Sequence, residues 1–259
     1  CNSFSTVDRV ISVGKNERFL ATAWWTAHIG KSIVDQSNMI HNTRFTLYYL
    51  IQDFECGFYN WSDAYVKAHN TYSNPNMVPI INSLPLYEFM NKKYVFSEKY
   101  IIPYQLNSKL DKNLDLMIET GENVINKLRE NIVLCYARPS TERNCYNTII
   151  EALTYWTTHS LISKSWKIIL VGEPINEKLF SGIPNCICLG KLNLDEYANL
   201  LSRSKVGISL MISPHPSYPP LEMASYGIQV ITNTYENKNL SENNANIHSL
   251  DVLESESIS

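Results

Sequence analysis

The sequence predicts an α/β protein built on parallel sheets, and three observations carry that expectation. Short runs rich in β-branched and aromatic residues alternate with stretches of helical periodicity. The runs are apolar throughout rather than at every second position, as strands covered on both faces are. The 259 residues, 44% hydrophobic and 18% charged, have globular composition and enough length for one large domain or two modest ones.

In chain order, Val7 to Val13, Phe19 to Trp25, Phe45 to Ile51 and Met77 to Asn82 read as strands, with helices over Thr26 to Gln36, Ser62 to His69 and Leu84 to Asn91. From about Leu106 the chain turns polar and loses β-propensity, with Lys109, Asp111, Lys112, Asn113 and Asp115 close together. The expectation is a linker over residues 106–128 between a domain of residues 1–105 and one of residues 129–259. The second half alternates more cleanly. Strands are expected at Ile132 to Ala137, Trp166 to Val171, Asn185 to Leu189, Val206 to Met211 and Ile228 to Thr232. Helices are expected at Glu142 to Ser160, Leu194 to Ser202 and Leu221 to Tyr226. The tail, Glu236 to Ser259, is polar and holds a weak strand at Ile247 to Leu250. Both halves read as Rossmann-like.

Composition also excludes classes of function. A net charge of -3 argues against broad nucleic-acid binding, which shows a basic excess. No window reaches the roughly 18 apolar residues of a spanning helix. Cys1-Asn2-Ser3 has neither methionine nor a basic and then apolar leader, so the chain reads as cut from a longer one. The six cysteines form no CxxC pair and read as buried free thiols of a reducing compartment. Glycine is only 9 of 259, so a Gly-rich phosphate loop is not expected. Gly30-Lys31-Ser32 mimics the end of such a loop, but Trp25 stands where its first glycine belongs.

In open α/β sheets ligands bind outside the carboxyl ends of the strands, and three segments qualify. Arg138 ends a buried strand and Arg143 lies about one turn into the next helix; together they suit a diphosphate, or Arg138 pairs with a local carboxylate such as Glu142. Ser213 to Gly227 holds four prolines in an extended loop, with Pro220 suited to a helix start whose amides face an anion. Glu222 in that first turn accepts hydrogen bonds from a sugar, or simply complements the helix dipole. At Leu189-Gly190-Lys191-Leu192 a strand turns into a helix, where Gly190 is a turn glycine or a bend that holds a nucleobase edge.

Together these segments resemble the C-terminal half of the GT-B glycosyltransferases, and more closely the WsaF-like rhamnosyltransferases of bacterial surface glycan synthesis. Arg138 and Arg143 fall on the family's arginine and downstream basic residue, and Glu222 with Gly227 on its second glutamate and glycine. The run Gly207 to Ala224, Ile231-Thr232-Asn233, Ala21 to Ala27 and Tyr49 to Glu55 are similar to the WsaF-like group. The resemblance implies a GT-B enzyme, two Rossmann-like domains facing a cleft with both ends truncated. It implies transfer of rhamnose from dTDP-rhamnose to a growing surface polysaccharide, without a metal or other cofactor. Arg138 and Arg143 are then the catalytic cations, and Gly190, Lys191, Ser217, Tyr218 and Glu222 bind the donor. Trp24 and Trp25 stack on the acceptor, and for an inverting reaction Asp53 or Glu55 is the candidate base. The implied partners are a nucleotide-sugar donor and a glycan acceptor, with no nucleic acid. The implied location is the cytoplasm, with peripheral association at the inner face of the membrane. The family's first glutamate falls on Pro214, so its contact to the donor sugar is absent or made by another group. A non-catalytic nucleotide-sugar or glycan-binding module is the alternative.

Overall fold

The structure is a computed structural model and describes residues 12–119 and 129–259. The strand expected at Val7 to Val13 lies almost wholly outside the described residues. The chain forms two compact units. The first holds the described residues up to Asn82 together with Lys93–Ile102; the second holds Ser83–Lys92 and Pro103–Ser259.

The first unit runs β1 (Leu20–Ala21), α1 (Trp24–His41), β2 (Leu47–Ile51), α2 (Asp63–Tyr72), β3 (Met77–Asn82) and, after a helix of the other unit, β4 (Tyr100–Ile102). The four strands are parallel in the order β1-β2-β3-β4. β2 alternates buried and half-buried side chains, putting Leu47, Tyr49 and Ile51 into the core, where Tyr49 stacks on Tyr72 of α2. Gly30 lets α1 lie on that strand: a Cβ there would stand 2.9 Å from Leu47 Cδ1. Trp24 and Trp25, expected at the end of a strand, instead open α1. The N-terminal amide of that helix finds a buried carboxylate, Trp24 N donating to Glu55 Oε2 at 2.7 Å, and helix formation follows from that cap. Lys31 of the rejected phosphate-loop mimic pairs with Asp35 one turn on, inside α1.

The second unit contains α3 (Leu84–Asn91), α4 (Ser108–Glu119), β5 (Ile132–Ala137), α5 (Tyr146–His159), β6 (Lys167–Gly172), β7 (Cys186–Gly190), α6 (Leu194–Arg203), β8 (Val206–Ile208), α7 (Pro219–Ser225), β9 (Gln229–Asn233), β10 (Ile247–Leu250) and α8 (Ser255–Ile258). All six strands are parallel, in the order β10-β9-β8-β5-β6-β7. Successive side chains of β5 enter opposite faces. Ile132 and Leu134 join a core with Leu201, Met223 and Val230, while Val133, Cys135 and Ala137 join one with Ile149, Leu153 and Leu170. Each fully buried Leu or Ile contributes about 1.5–3 kcal/mol. Cys56 in the first unit and Cys135 in the second are completely buried, and the described cysteines are free thiols.

Four expectations change here. Much of the expected linker is α4, whose Leu110 is fully buried and whose Lys109 pairs with Asp195 of α6 at 2.6 Å; the polar residues lie on its outer side. The helix expected from Glu142 begins only at Tyr146, because Cys145 adopts a left-handed conformation (φ 52°) after a 3₁₀ turn at Glu142–Asn144. β7 is an edge strand with Ile187 and Leu189 facing solvent, so not every strand is covered on both faces. The polar tail contributes Lys238, Leu240, Ile247 and Ile258 to the buried interior. Among the described residues no helix is long and apolar enough to cross a membrane.

Candidate functional site

In the second unit the chain leaves β5 in one direction across the sheet, to β6 and β7, and then returns to β8 on the other side of β5. Connections therefore diverge between β5 and β8, and beyond their carboxyl ends lies the crevice where such sheets bind ligands. Arg138 stands directly after β5. Gly172, which ends the neighbouring β6 at φ 126°, makes room for it: a Cβ there would lie 2.9 Å from Ala137 O and 3.0 Å from Arg138 Cγ. Arg138 Nε is 3.8 Å from Glu173 Oε2, so its carboxylate neighbour comes from the next strand and not from Glu142. Ser140 N donates to Glu173 Oε1 at 2.7 Å and Ser140 Oγ to Oε2; these bonds, with Arg138, hold the Glu173 carboxyl below the ordinary carboxylate range. Glu173 follows Gly172 without any helical or motif signal, which is why spacing alone missed it.

Arg143 lies in the 3₁₀ turn and is half-buried. Its carbonyl accepts from Ile212 N at 2.8 Å, and Asn144 Nδ2 donates to Leu210 O at 3.3 Å. The turn after β5 is thus bonded to the loop after β8, across the switch point. That loop continues into the proline-rich segment. His215 N donates to Ser213 Oγ at 3.1 Å and Ser217 N to His215 Nδ1 at 3.0 Å, which leaves the ring proton on Nε2. Ser217 is left-handed (φ 62°) and buried, and Tyr218, held between the rings of His215 and Tyr104, leads into α7. The helix-start amides expected to face an anion are fewer than the sequence promised: Ser217 N already bonds His215, and Pro219 and Pro220 have no N–H.

Glu222 sits in the first turn of α7, partly buried, with Tyr197 of α6 alongside. Burial raises its carboxyl above the usual range, and Tyr197 lowers it in part. A cavity of about 330 Å³ flanks the same helix, lined among others by Tyr104, Pro216, Leu221, Ser225 and Asn244. Gly190 closes β7 with φ 68°, and Lys191 beyond it is exposed. Since β6 pairs Val171 with Gly190, Lys191 and Arg138 leave the same end of the sheet. In this unit the fold therefore gathers Arg138, Arg143, Lys191, Ser217, Tyr218 and Glu222 at the carboxyl ends of its strands.

The remaining candidates belong to the first unit. Trp24 is half-buried, its indole N–H donating to Tyr59 Oη at 2.8 Å and its ring edge-on to Trp25 and Tyr59. Trp25 is the open one, 44% exposed. Asp53 is buried, and its Oδ1 accepts from Phe54 N at 2.8 Å, the bond of a strand-end turn. Glu55 is buried as well; desolvation raises its carboxyl, the Trp24 amide and Tyr49 offset part of that, and the Asp53 charge adds a smaller rise.

Comparison with known proteins agrees with this architecture. Residues 131–259 match the family described as WsaF, C-terminal domain, and residues 3–84 match WsaF, N-terminal domain. The O-antigen biosynthesis protein RfbC of Myxococcus xanthus is 29% identical over 102 residues, which are 39% of this chain and 8% of RfbC. Among solved structures, Anabaena HepE in complex with UDP-glucose superposes with a TM-score of 0.62 at 15% identity, over 92% of this chain and 66% of that one. WaaG, a glycosyltransferase involved in lipopolysaccharide biosynthesis, gives 0.60 at 13% identity, over 91% of this chain and 72% of that one. The chain thus spans under a tenth of the curated relative and about two thirds of these solved chains. With both family domains matched along most of its length and the fold shared with GT-B glycosyltransferases, the chain belongs to the WsaF family.

Proposed function

We propose that this chain is the core of a glycosyltransferase of surface-glycan synthesis, which transfers a 6-deoxyhexose, rhamnose, from a dTDP-activated donor to a growing polysaccharide. One observation carries the proposal: Arg138 and the bonded Arg143 turn stand at the switch point between β5 and β8, beside the proline-rich entry to α7. Cleavage of the donor's bond to the diphosphate builds negative charge on the leaving oxygen, and cations fixed beforehand stabilise that charge most. Arg138, with Glu173 holding its Nε side, has its guanidinium fork for the phosphates. Arg143 and Lys191 add charge to the same end of the sheet. Glu222 accepts the ribose hydroxyls. Trp25 offers an open face to an acceptor sugar. A buried Asp53 bonded to its neighbour's amide suits a turn cap, so no proton transfer is assigned to it.

Titration calorimetry with dTDP tests the proposal. The wild-type chain is expected to bind, and Arg138→Ala to weaken binding about 10- to 100-fold, the worth of a charged hydrogen-bond pair, with its melting temperature little changed. Unchanged affinity in that variant removes the phosphate role. The same substitution is expected to lower sugar transfer by orders of magnitude. Since arginines offset the leaving-group charge, transfer is expected to keep its rate in EDTA.

A second reading has one observation in its favour. Pro214, buried in the loop, stands where the wider family carries its first glutamate. A non-catalytic nucleotide-sugar-binding module binds dTDP but neither transfers nor hydrolyses the donor, and a donor-hydrolysis assay separates the two.

A further inference from the structure

Lys238 is 1% exposed, the rare case of a lysine ammonium inside a protein. It closes a tight turn after β9: Lys238 N donates to Tyr235 O at 2.8 Å and Tyr235 N to Lys238 O at 3.0 Å, with Glu236 between them at φ 52°. Asn237 in the same turn donates its amide to Pro85 O at 3.0 Å, fixing the turn from outside. From there Lys238 Nζ reaches Met211 O at 2.6 Å. Asn233, fully buried at the end of β9, grips the same residue twice, donating to Met211 O at 3.1 Å and accepting from Met211 N at 2.7 Å. The next residue, Ile212, donates to the Arg143 carbonyl, and the previous one, Leu210, accepts from Asn144. Burial raises the Cys145 thiol in that turn, and the Lys238 charge offsets part of the rise.

Removing an ammonium from water is costly, and a methionine of similar length would fill the space without that cost. Here the ammonium bonds the Met211 carbonyl, one residue from the Ile212 bond that holds the Arg143 turn. We propose that Lys238 is a positioning residue for the donor diphosphate: its buried ammonium fixes Met211, and through Ile212 it sets the turn that carries Arg143. This rests on the donor assignment made above.

The test compares dTDP with dTMP, because loss of fold lowers affinity for both alike, whereas a displaced Arg143 turn selectively affects the second phosphate. Lys238→Met in the full chain is expected to lower the dTDP-to-dTMP affinity ratio at least 10-fold. Amide exchange at Met211 and Ile212 is expected to rise at least 10-fold, with exchange in β5 and β6 unchanged. An unchanged ratio in the folded variant overturns the proposal. If Lys238→Met does not fold, Asn237→Ala loosens the same turn without emptying the core; a ratio lowered at least 3-fold supports the proposal and an unchanged one overturns it. A wild-type chain that binds neither nucleotide overturns the donor assignment itself, which is a separate result from wild-type binding with an unmoved ratio.

Discussion

A carboxyl group drawn partly out of water titrates against its own fold, and Glu222 does so. Its folded pKa is raised by burial, so the native state holds a proton more tightly than the unfolded chain. Stability is then highest below the unfolded value, 4.5, and falls as pH rises from there to the folded pKa. Glu222→Gln removes that dependence. The variant is expected to be more stable than wild type at pH 8, by on the order of 1 kcal/mol, the scale of a partly desolvated polar group, and no more stable at pH 4. It is also expected to bind dTDP about 10-fold more weakly, for loss of a charged acceptor. Urea titrations at both pH values check the first point, and a gap that does not depend on pH would refute it. At this scale the sequence was legible where a side chain ends a strand, as Arg138 does. It was silent where the partner arrives from elsewhere: Glu173 and Lys238 lie 35 and 100 positions beyond Arg138 and carry no pattern of their own.

Elements hold these residues at fixed offsets, and α7 is the clearest case. It lies so close on β8 that a Cβ on Gly207 would stand 2.6 Å from Met223 Sδ, and Met223 is fully buried. Gly207→Ala must therefore displace the buried Met223 side chain, and that strains its packing between α7 and β8. The expected cost is about 1–3 kcal/mol of stability, as for other overpacked cores, together with weaker dTDP binding because Glu222 rides on the same helix. A variant with wild-type stability would show that the core absorbs the methyl by a rotamer change alone. Strands were the more legible elements: apolar runs bounded by polar residues fixed β3 and β5 at their observed limits, whereas β1 and β8 end well before the expected Trp25 and Met211. Helix starts were less legible. Trp24 and Trp25 are good strand formers by propensity, but a carboxylate 31 residues away caps them into a helix. The charged residues of α4 looked like a linker because only one side of that helix is buried.

For the molecule, the order β10-β9-β8-β5-β6-β7 puts the switch point between β5 and β8, and that order is a tertiary fact. The β/α alternation predicted parallel sheets, and the resemblance carried by Gly207 to Ala224 predicted the family. Neither spelled out the hydrogen bonds between Ile212 and the Arg143 turn. Binding of dTDP at this switch point is expected to slow amide exchange at 138–145 and 209–222, while exchange in β2 and β3 stays as it was. Saturation at a hundred times the dissociation constant stabilises the binding unit by about 2.7 kcal/mol. Protection confined to β2 and β3 would place the ligand in the first unit instead.

The fully buried Cys56 and Cys135 make the chain its own stopwatch. A thiol reacts as thiolate and only where reagent can reach it. Burial denies access to both, and it also pushes the Cys56 thiol up to about 12 and the Cys135 thiol upward in the same sense. Labelling of either therefore waits for its surroundings to open. Cys56 times the opening of the first unit and Cys135 that of the second, so a single mass-spectrometric pulse experiment on the unmodified chain measures the breathing of each half without any introduced probe.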